Sequence, residues 1–331
     1  VAEVLSSVMQ PLPITGRRAF DRQAAMQGAA AAKARADEDR RLLRAEVRAA
    51  FADLVSAQAR LRGLATFRAQ LAEMIAMLTR REAVGDSAGY DRLRAEREAF
   101  EIDADLSAAT SDRMRAQGQL ARYFEPGPDP AAIVAQEPAE LAISDLPSVD
   151  ELAARAEARG DMSALGFERE AATLSARAAD RRRIPEPEFL AGTKTSTLGG
   201  GDVGSIVAVQ ATVPIFDRGR ADRRIADAQL ARTDARLGQL RALIRADVSA
   251  WRSQLTDRRL AATQYRAGAL ATAVEVERIA RISYDAGERG ILELLDAYRT
   301  AAVARVRQVL LDVAARRAAI ELEYASGWEI R

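Results

Sequence analysis

The stretch VPIFDRGRADRRIADAQLARTDAR, residues 213–236, changes character within a few residues. It opens as an apolar strand, passes Asp217-Arg218-Gly219, and continues as a charged, alanine-rich run with the composition of a helix. Residues 10–35, QPLPITGRRAFDRQAAMQGAAAAKAR, do the same through Gly16. Aligning the two glycines gives an offset of 203 and takes Pro11 onto Pro214 and Leu12 onto Ile215. RAEV (44–47) meets RADV (245–248) at an offset of 201. VGDSAGYDRLRAER (84–97) meets AGERGILELLDAYR (286–299) at 202, with Gly85 on Gly287. Landmarks that hold one spacing over about 85 residues indicate an internal duplication.

Each half contains a long helical pattern. Leu237, Leu240, Ile244, Val248, Trp251 and Leu255 step by three or four residues, as do Leu43, Val47, Ala50, Leu54, Gln58 and Leu61. Proline is absent from 17–84 and from 220–286, which predicts one unbroken helix over each span. At ~1.5 Å per residue such helices reach roughly 100 Å, too long for a globular core and suited to a tubular or coiled-coil-like body. Gly85 and Gly287 read as C-terminal caps, followed by antiparallel return helices over 88–124 and 291–325. Residues 125–148 carry five prolines, so 126–148 is a connector. A helix follows over 149–183.

Residues 185–216 predict a β-hairpin, with Gly199, Gly200, Gly201 and Gly204 marking its turn region, and residues 1–13 a related strand. From Val203 to Ile215 alternate positions are apolar or small, while the other face carries Gly204, Gln210 and Thr212. A soluble two-faced sheet and a membrane-crossing β-segment both fit this pattern, the latter needing only about 9–11 residues. The open edges of so few strands call for partners, which other copies of the chain can supply. The organisation is thus a first repeat over 1–125, the connector, and a second repeat over 149–331. The return helix 291–325 has no upper partner, so the repeat predicts a further helix and strand before Val1. The fold class is mainly α with a small β part.

Lys+Arg of 49 against Asp+Glu of 48 leaves a net charge of +1 and no electrostatic case for nucleic acid. Basic clusters such as Arg181-Arg182-Arg183 read as solvated faces. Cysteine and histidine are both absent, which removes disulfides, Cys/His zinc sites, a cysteine nucleophile and any histidine-based triad. The glycines of GGGDVG lack a phosphate-loop lysine and read as a turn. The many carboxylates on helices read as solvated i,i+4 partners. No catalytic, cofactor or metal site is expected.

In the plan of strand, glycine, long helix, glycine tip and return, the chain resembles the TolC-type outer membrane factors, the exit ducts of bacterial efflux pumps and type I secretion systems. The resemblance is carried by VPIFDRGRADRRIADAQL and YDAGERGILELLDAYRTA, and by the weaker pair QPLPITGRR and VGDSAGYDRLRAE, and it spans almost the whole chain. PLPITGRR is also similar to the CzcC-like heavy-metal branch. The resemblance implies a homotrimer in the bacterial outer membrane and its lipid, extending into the periplasm. Its protomers contribute four strands each to a shared transmembrane β-barrel and build a trimeric periplasmic α-barrel. Such a duct passively conducts metal cations or drugs to the exterior. Its partners are a periplasmic adaptor (membrane fusion) protein and an inner-membrane transporter.

By the same resemblance, Gly16 and Gly219 stand where barrel strand becomes tunnel helix. Glu293 and Asp296 match acidic positions at the periplasmic aperture, a ring that favours cations, although both also fit a plain solvated helix face. Tyr284, Arg289 and Asp91 match residues whose bonds hold the aperture shut. Gly85, Asp86, Gly287 and Glu288 fall at the tips that dock the adaptor. Tyr90 and Asp86 depart from the family's smaller polar and leucine-like residues. A non-channel coiled-coil scaffold of the cell envelope is the rival reading; it explains the helices but not the matched strand-to-helix transitions.

Overall fold

The computed structural model describes residues 3–85, 89–127, 129–136, 145–196, 202–216 and 218–329. It is mainly helical with one small antiparallel sheet. In chain order the elements are β1 (Glu3–Pro11), α1 (Arg17–Ala83), α2 (Gly89–Ala121), α3 (Val149–Ala156), α4 (Gly160–Arg181), β2 (Pro187–Ser196), β3 (Asp202–Ala211), α5 (Arg220–Tyr265), α6 (Ala271–Asp285) and α7 (Ile291–Ser326). Residues 1–39 with 157–243 form one compact unit, and residues 40–156 with 244–331 a second.

In the first unit the strands pair in the order β1-β2-β3. Val8 lies opposite Ala191, which lies opposite Val207, and this register fixes which residues share a face. Among the described residues the outer edges of β1 and β3 have no strand partner. The turn glycines 199–201 lie outside the described residues.

Both strands that run into long helices leave the sheet the same way. Ile14 N–H donates to Leu12 O at 2.9 Å and Ile215 N–H to Val213 O at 3.0 Å, each closing a three-residue turn about a proline. Proline's fixed φ suits the centre of such a turn. Gly16 and Gly219 then both take φ 72°, and the helix starts at the next residue. This geometry corrects the alignment read from the sequence. Pro13, not Pro11, is equivalent to Pro214, at an offset of 201, and Asp217-Arg218 are two extra residues before the second glycine.

The helix expected over 149–183 is two helices, α3 and α4. Ser148 and Glu151 form a reciprocal capping box at the start of α3, with Ser148 N to Glu151 Oε2 at 2.7 Å and Glu151 N to Ser148 Oγ at 3.2 Å. The bonds from Ser148 hold the Glu151 carboxyl below its usual range. In the first unit, Arg159 stands extended before α4, where it pairs with Glu38 at 3.3 Å and with Asp161 at 2.7 Å. Arg159 and Glu38 are both buried, and Glu38 Oε2 also accepts the Gly160 N–H at 3.1 Å. A Cβ at Gly160 would overlap the Ala34 carbonyl oxygen. A tertiary ion pair, not proline, therefore sets the start of α4.

In the second unit, Phe67, Leu71, Met74 and Leu78 of α1 pack with Ala95, Ala99 and Ile102 of α2, Tyr284 of α6, and Ile291, Leu294 and Leu295 of α7. Leu54 and Val55 form another core with Ala116, Leu120 and Ala135. Leu43, expected in the apolar stripe, is exposed. Residues 131–135 of the connector are held by amides: Gln58 exchanges two hydrogen bonds with Ala135 at 2.7 and 2.9 Å, and Gln117 donates to Ala131 O and Ile133 O at 3.2 and 2.8 Å.

The helix expected to run unbroken over 220–286 contains a π-turn at Arg266–Leu270 between α5 and α6. Gln308 of α7, itself buried, donates to Ala262 O at 3.2 Å beside this change of register, and Arg266 pairs with Asp312 at 2.8 Å. A side chain entering the backbone ladder is a recognised cause of such an interruption. Among the described residues no helix is long and apolar enough to cross a membrane.

Candidate functional site

Two regions, one in each unit, carry arrangements that secondary structure alone does not require. In the second unit the helices before Gly85 and Gly287 each end on a glycine with positive φ. Gly287 takes φ 74°, with its N–H on Tyr284 O at 3.0 Å and the Glu288 N–H on Ser283 O at 2.8 Å, the paired bonds of a Schellman cap. Gly85 takes φ 86° with its N–H on Glu82 O at 3.0 Å. Asp86 lies outside the described residues.

Just before the Gly287 cap, Tyr284 is buried at 4 % exposure. Its hydroxyl accepts from Arg81 Nη1 at 3.1 Å, and the same guanidinium lies over the ring, 5.3 Å from its centroid. Arg81 is not among the residues that the sequence singles out at the tip. The signal was available, because Arg81 stands four residues before Gly85 and Tyr284 three before Gly287, so they occupy similar heights on α1 and α6. Asp91 sits in the first turn of α2, where its charge favours the helix dipole. Next to it Arg92 bridges Glu82 at 2.6 Å and Glu96 at 2.5 Å, joining the end of α1 to the start of α2. These hydrogen bonds hold the Arg92 pKa above the usual arginine value.

α7 buries Ile291, Leu294, Leu295 and Ala297, which leaves Glu293 and Asp296 one turn apart on its exposed side. Glu288 and Arg289 are exposed as well. Among the described residues no group of three or more acidic side chains could hold a metal ion. What the tip offers is two exposed carboxylates near the start of α7 and a tyrosine–arginine contact between α6 and α1.

In the first unit the sheet separates its side chains by charge. One face carries Val4, Ser6, Val8 and Gln10 of β1, Phe189, Ala191, Thr193 and Thr195 of β2, and Val203, Ser205, Val207, Val209 and Ala211 of β3. None of these is charged. Glu3, Glu188 and Lys194 lie on the opposite face, where Lys194 pairs with Glu3 at 2.8 Å and Gln210 donates to Glu188 at 3.2 Å. The uncharged face is largely exposed. Such a face over strands of nine and ten residues matches the requirement for crossing a bilayer as β-structure.

Comparison with known proteins identifies the family. The model of the outer membrane efflux proteins matches residues 153–328, more than half of the chain. The chain belongs to the outer membrane efflux protein family. No curated protein matches it significantly in sequence. A membrane protein of Pseudomonas aeruginosa is similar in structure at a TM-score of 0.79 and 20% identity, over 98% of this chain and 83% of its own. VceC of Vibrio cholerae is similar at 0.78 and 18%, over 100% and 87%. MtrE of Neisseria gonorrhoeae, an outer membrane channel in its open state, is similar at 0.77 and 19%, over 98% and 80%. These likenesses show the fold, a TolC-type one. As an outer membrane efflux protein the chain serves transport and is not an enzyme.

Proposed function

We propose that three copies of this outer membrane efflux protein form a duct through the outer membrane, the exit of a tripartite efflux pump with a periplasmic adaptor and an inner-membrane transporter. The carrying observation is the sheet with one uncharged exposed face, one charged face and two open edges. Closure with strands of other copies satisfies the edges, turns the uncharged face to lipid and the charged face to a lumen. The matching strand-to-helix junctions support an internal duplication that gives each protomer two such passages.

In this reading Glu293 and Asp296 from three protomers ring the periplasmic aperture, and Tyr284 with Arg81 holds it shut, with Asp91 and Arg289 as further closing residues. Gly85, Asp86, Gly287 and Glu288 form the surface presented to the adaptor. The conducted species are small solutes, metal cations or drugs among them. The test is conductance in planar bilayers. Wild type is expected to give cation-selective channels, and Glu293→Ala with Asp296→Ala to lose much of that selectivity. Tyr284→Phe deletes the acceptor of a bond contributing about 0.5–1.5 kcal/mol per protomer, and should raise conductance. No channels from correctly assembled protein would overturn the reading.

A further inference from the structure

The three connections between sheet and helices share an order that the duct reading does not explain. Measured from the sheet, exposed apolar side chains precede the arginines: Leu12 and Ile14 after β1, Val213, Ile215 and Phe216 after β3, and, beyond Glu186, Ile184 before β2. Phe216 is 95% exposed. Arginines come next. Segments 16–24, 180–186 and 217–224 hold ten arginines against five carboxylates, in a chain whose net charge is only +1. The three segments meet at one end of the sheet, since Arg17 pairs with Glu186 at 3.5 Å, Arg182 with Asp222 at 2.5 Å, and Arg223 with Asp180. α1, α4 and α5 border a common cleft of about 500 Å³ there.

Some of these arginines are used up internally and others are not. Arg181 lies over the Phe20 ring at 5.7 Å, and Arg183 is 3.6 Å from Asp180. Arg18 and Arg22 on α1, and Arg220 and Arg224 on α5, are exposed and make no hydrogen bond or ion pair among the described residues. Each pair is spaced i,i+4, so two like charges share one helix face, which destabilises a helix in isolation. The first turn of α1 also lacks any acidic residue to offset the helix dipole. Twice, then, the fold places a pair of exposed arginines in the first two turns of the helix that follows a strand.

We infer that this belt binds the phosphate headgroups of an anionic lipid leaflet, the apolar residues entering the acyl region and Arg18, Arg22, Arg220 and Arg224 holding the phosphates. The choice of a lipid surface follows from continuity and charge. The belt continues the uncharged strand face, and its order of apolar then basic side chains matches the order of acyl chain then phosphate. Guanidinium groups also match phosphate oxygens in geometry. The inference rests on the duct reading, since it needs the strands in a membrane.

The test places a tryptophan reporter in the belt, Phe216→Trp, in protein reconstituted into vesicles containing brominated phosphatidylglycerol or brominated phosphatidylcholine. Quenching is read as the difference from protein without the added tryptophan. The reporter should be quenched by both lipids, with about a tenfold preference for phosphatidylglycerol. R18Q/R22Q/R220Q/R224Q should bring that preference near one, and the matching lysine variant should retain most of it. Inorganic phosphate at about 10 mM should leave the wild-type preference intact, since contact with a leaflet, not capture of a free anion, is claimed. An unchanged preference in the glutamine variant, its loss to inorganic phosphate, or dissociation of the assembly in that variant without a lipid effect would each overturn the belt. If protease cuts within 189–194 or 204–209, inside the strands, in wild-type vesicles, the strands are not inserted and the duct reading falls with it.

Discussion

At the scale of single residues, two glycines that look equivalent are constrained differently. Gly16 and Gly219 share φ 72°, but an added Cβ at Gly16 meets nothing within 4 Å, whereas at Gly219 it would overlap the main-chain oxygen of Ala179. Gly16→Ala should therefore cost only the left-handed strain, about 1–2 kcal/mol. Gly219→Ala should add a backbone clash and cost about 2–5 kcal/mol. Thermal unfolding of the purified variants should rank wild type above Gly16→Ala and both above Gly219→Ala. Both glycines were legible as turn points, because a strand pattern becomes a helix pattern across each. The packing of Gly219 was not, since Ala179 belongs to another helix. Arg81 was missed for a similar reason: its contact with Tyr284 spans 203 residues, and only the parallel course of α1 and α6 toward their glycines could have suggested it.

Among the elements, composition predicted where helices run but not where they yield. Absence of proline identified α1 as one continuous helix of 67 residues. The same rule hid the break between α3 and α4, which depends on the buried contact of Arg159 with Glu38, and the π-turn, whose Arg266-Ala267-Gly268-Ala269-Leu270 contains nothing a helix would refuse apart from one glycine. The π-turn carries its own prediction. Gln308→Leu keeps much of the side-chain volume but removes the donor to Ala262 O. It should cost about 1–3 kcal/mol through the acceptor left unpaired. Hydrogen exchange should then quicken around 262–270 in this variant while the Schellman cap at Gly287 stays protected. Uniform exchange along α5 and α6 in both proteins would assign Gln308 no role in the turn.

For the whole molecule the family relationship and the charge-separated sheet point to the same conclusion from independent directions. The alternation over 203–215 left a soluble sheet and a membrane sheet both open, because one strand cannot reveal what its neighbours place on the same face. The register adds what one strand lacks: Glu3 of β1 and Glu188 and Lys194 of β2 share one face, opposite the uncharged one, which supports the membrane reading. It is this separation that the account depends on most. The chain has no cysteine, so single labels can be introduced cleanly. Spin labels at Val207→Cys and Ile206→Cys, on opposite faces of β3, should be read in reconstituted vesicles for collision with oxygen and with a water-soluble nickel chelate. The account predicts that the label at 207 meets oxygen and is shielded from nickel, while the label at 206 meets nickel. Equal nickel access at both positions would contradict a membrane-spanning sheet.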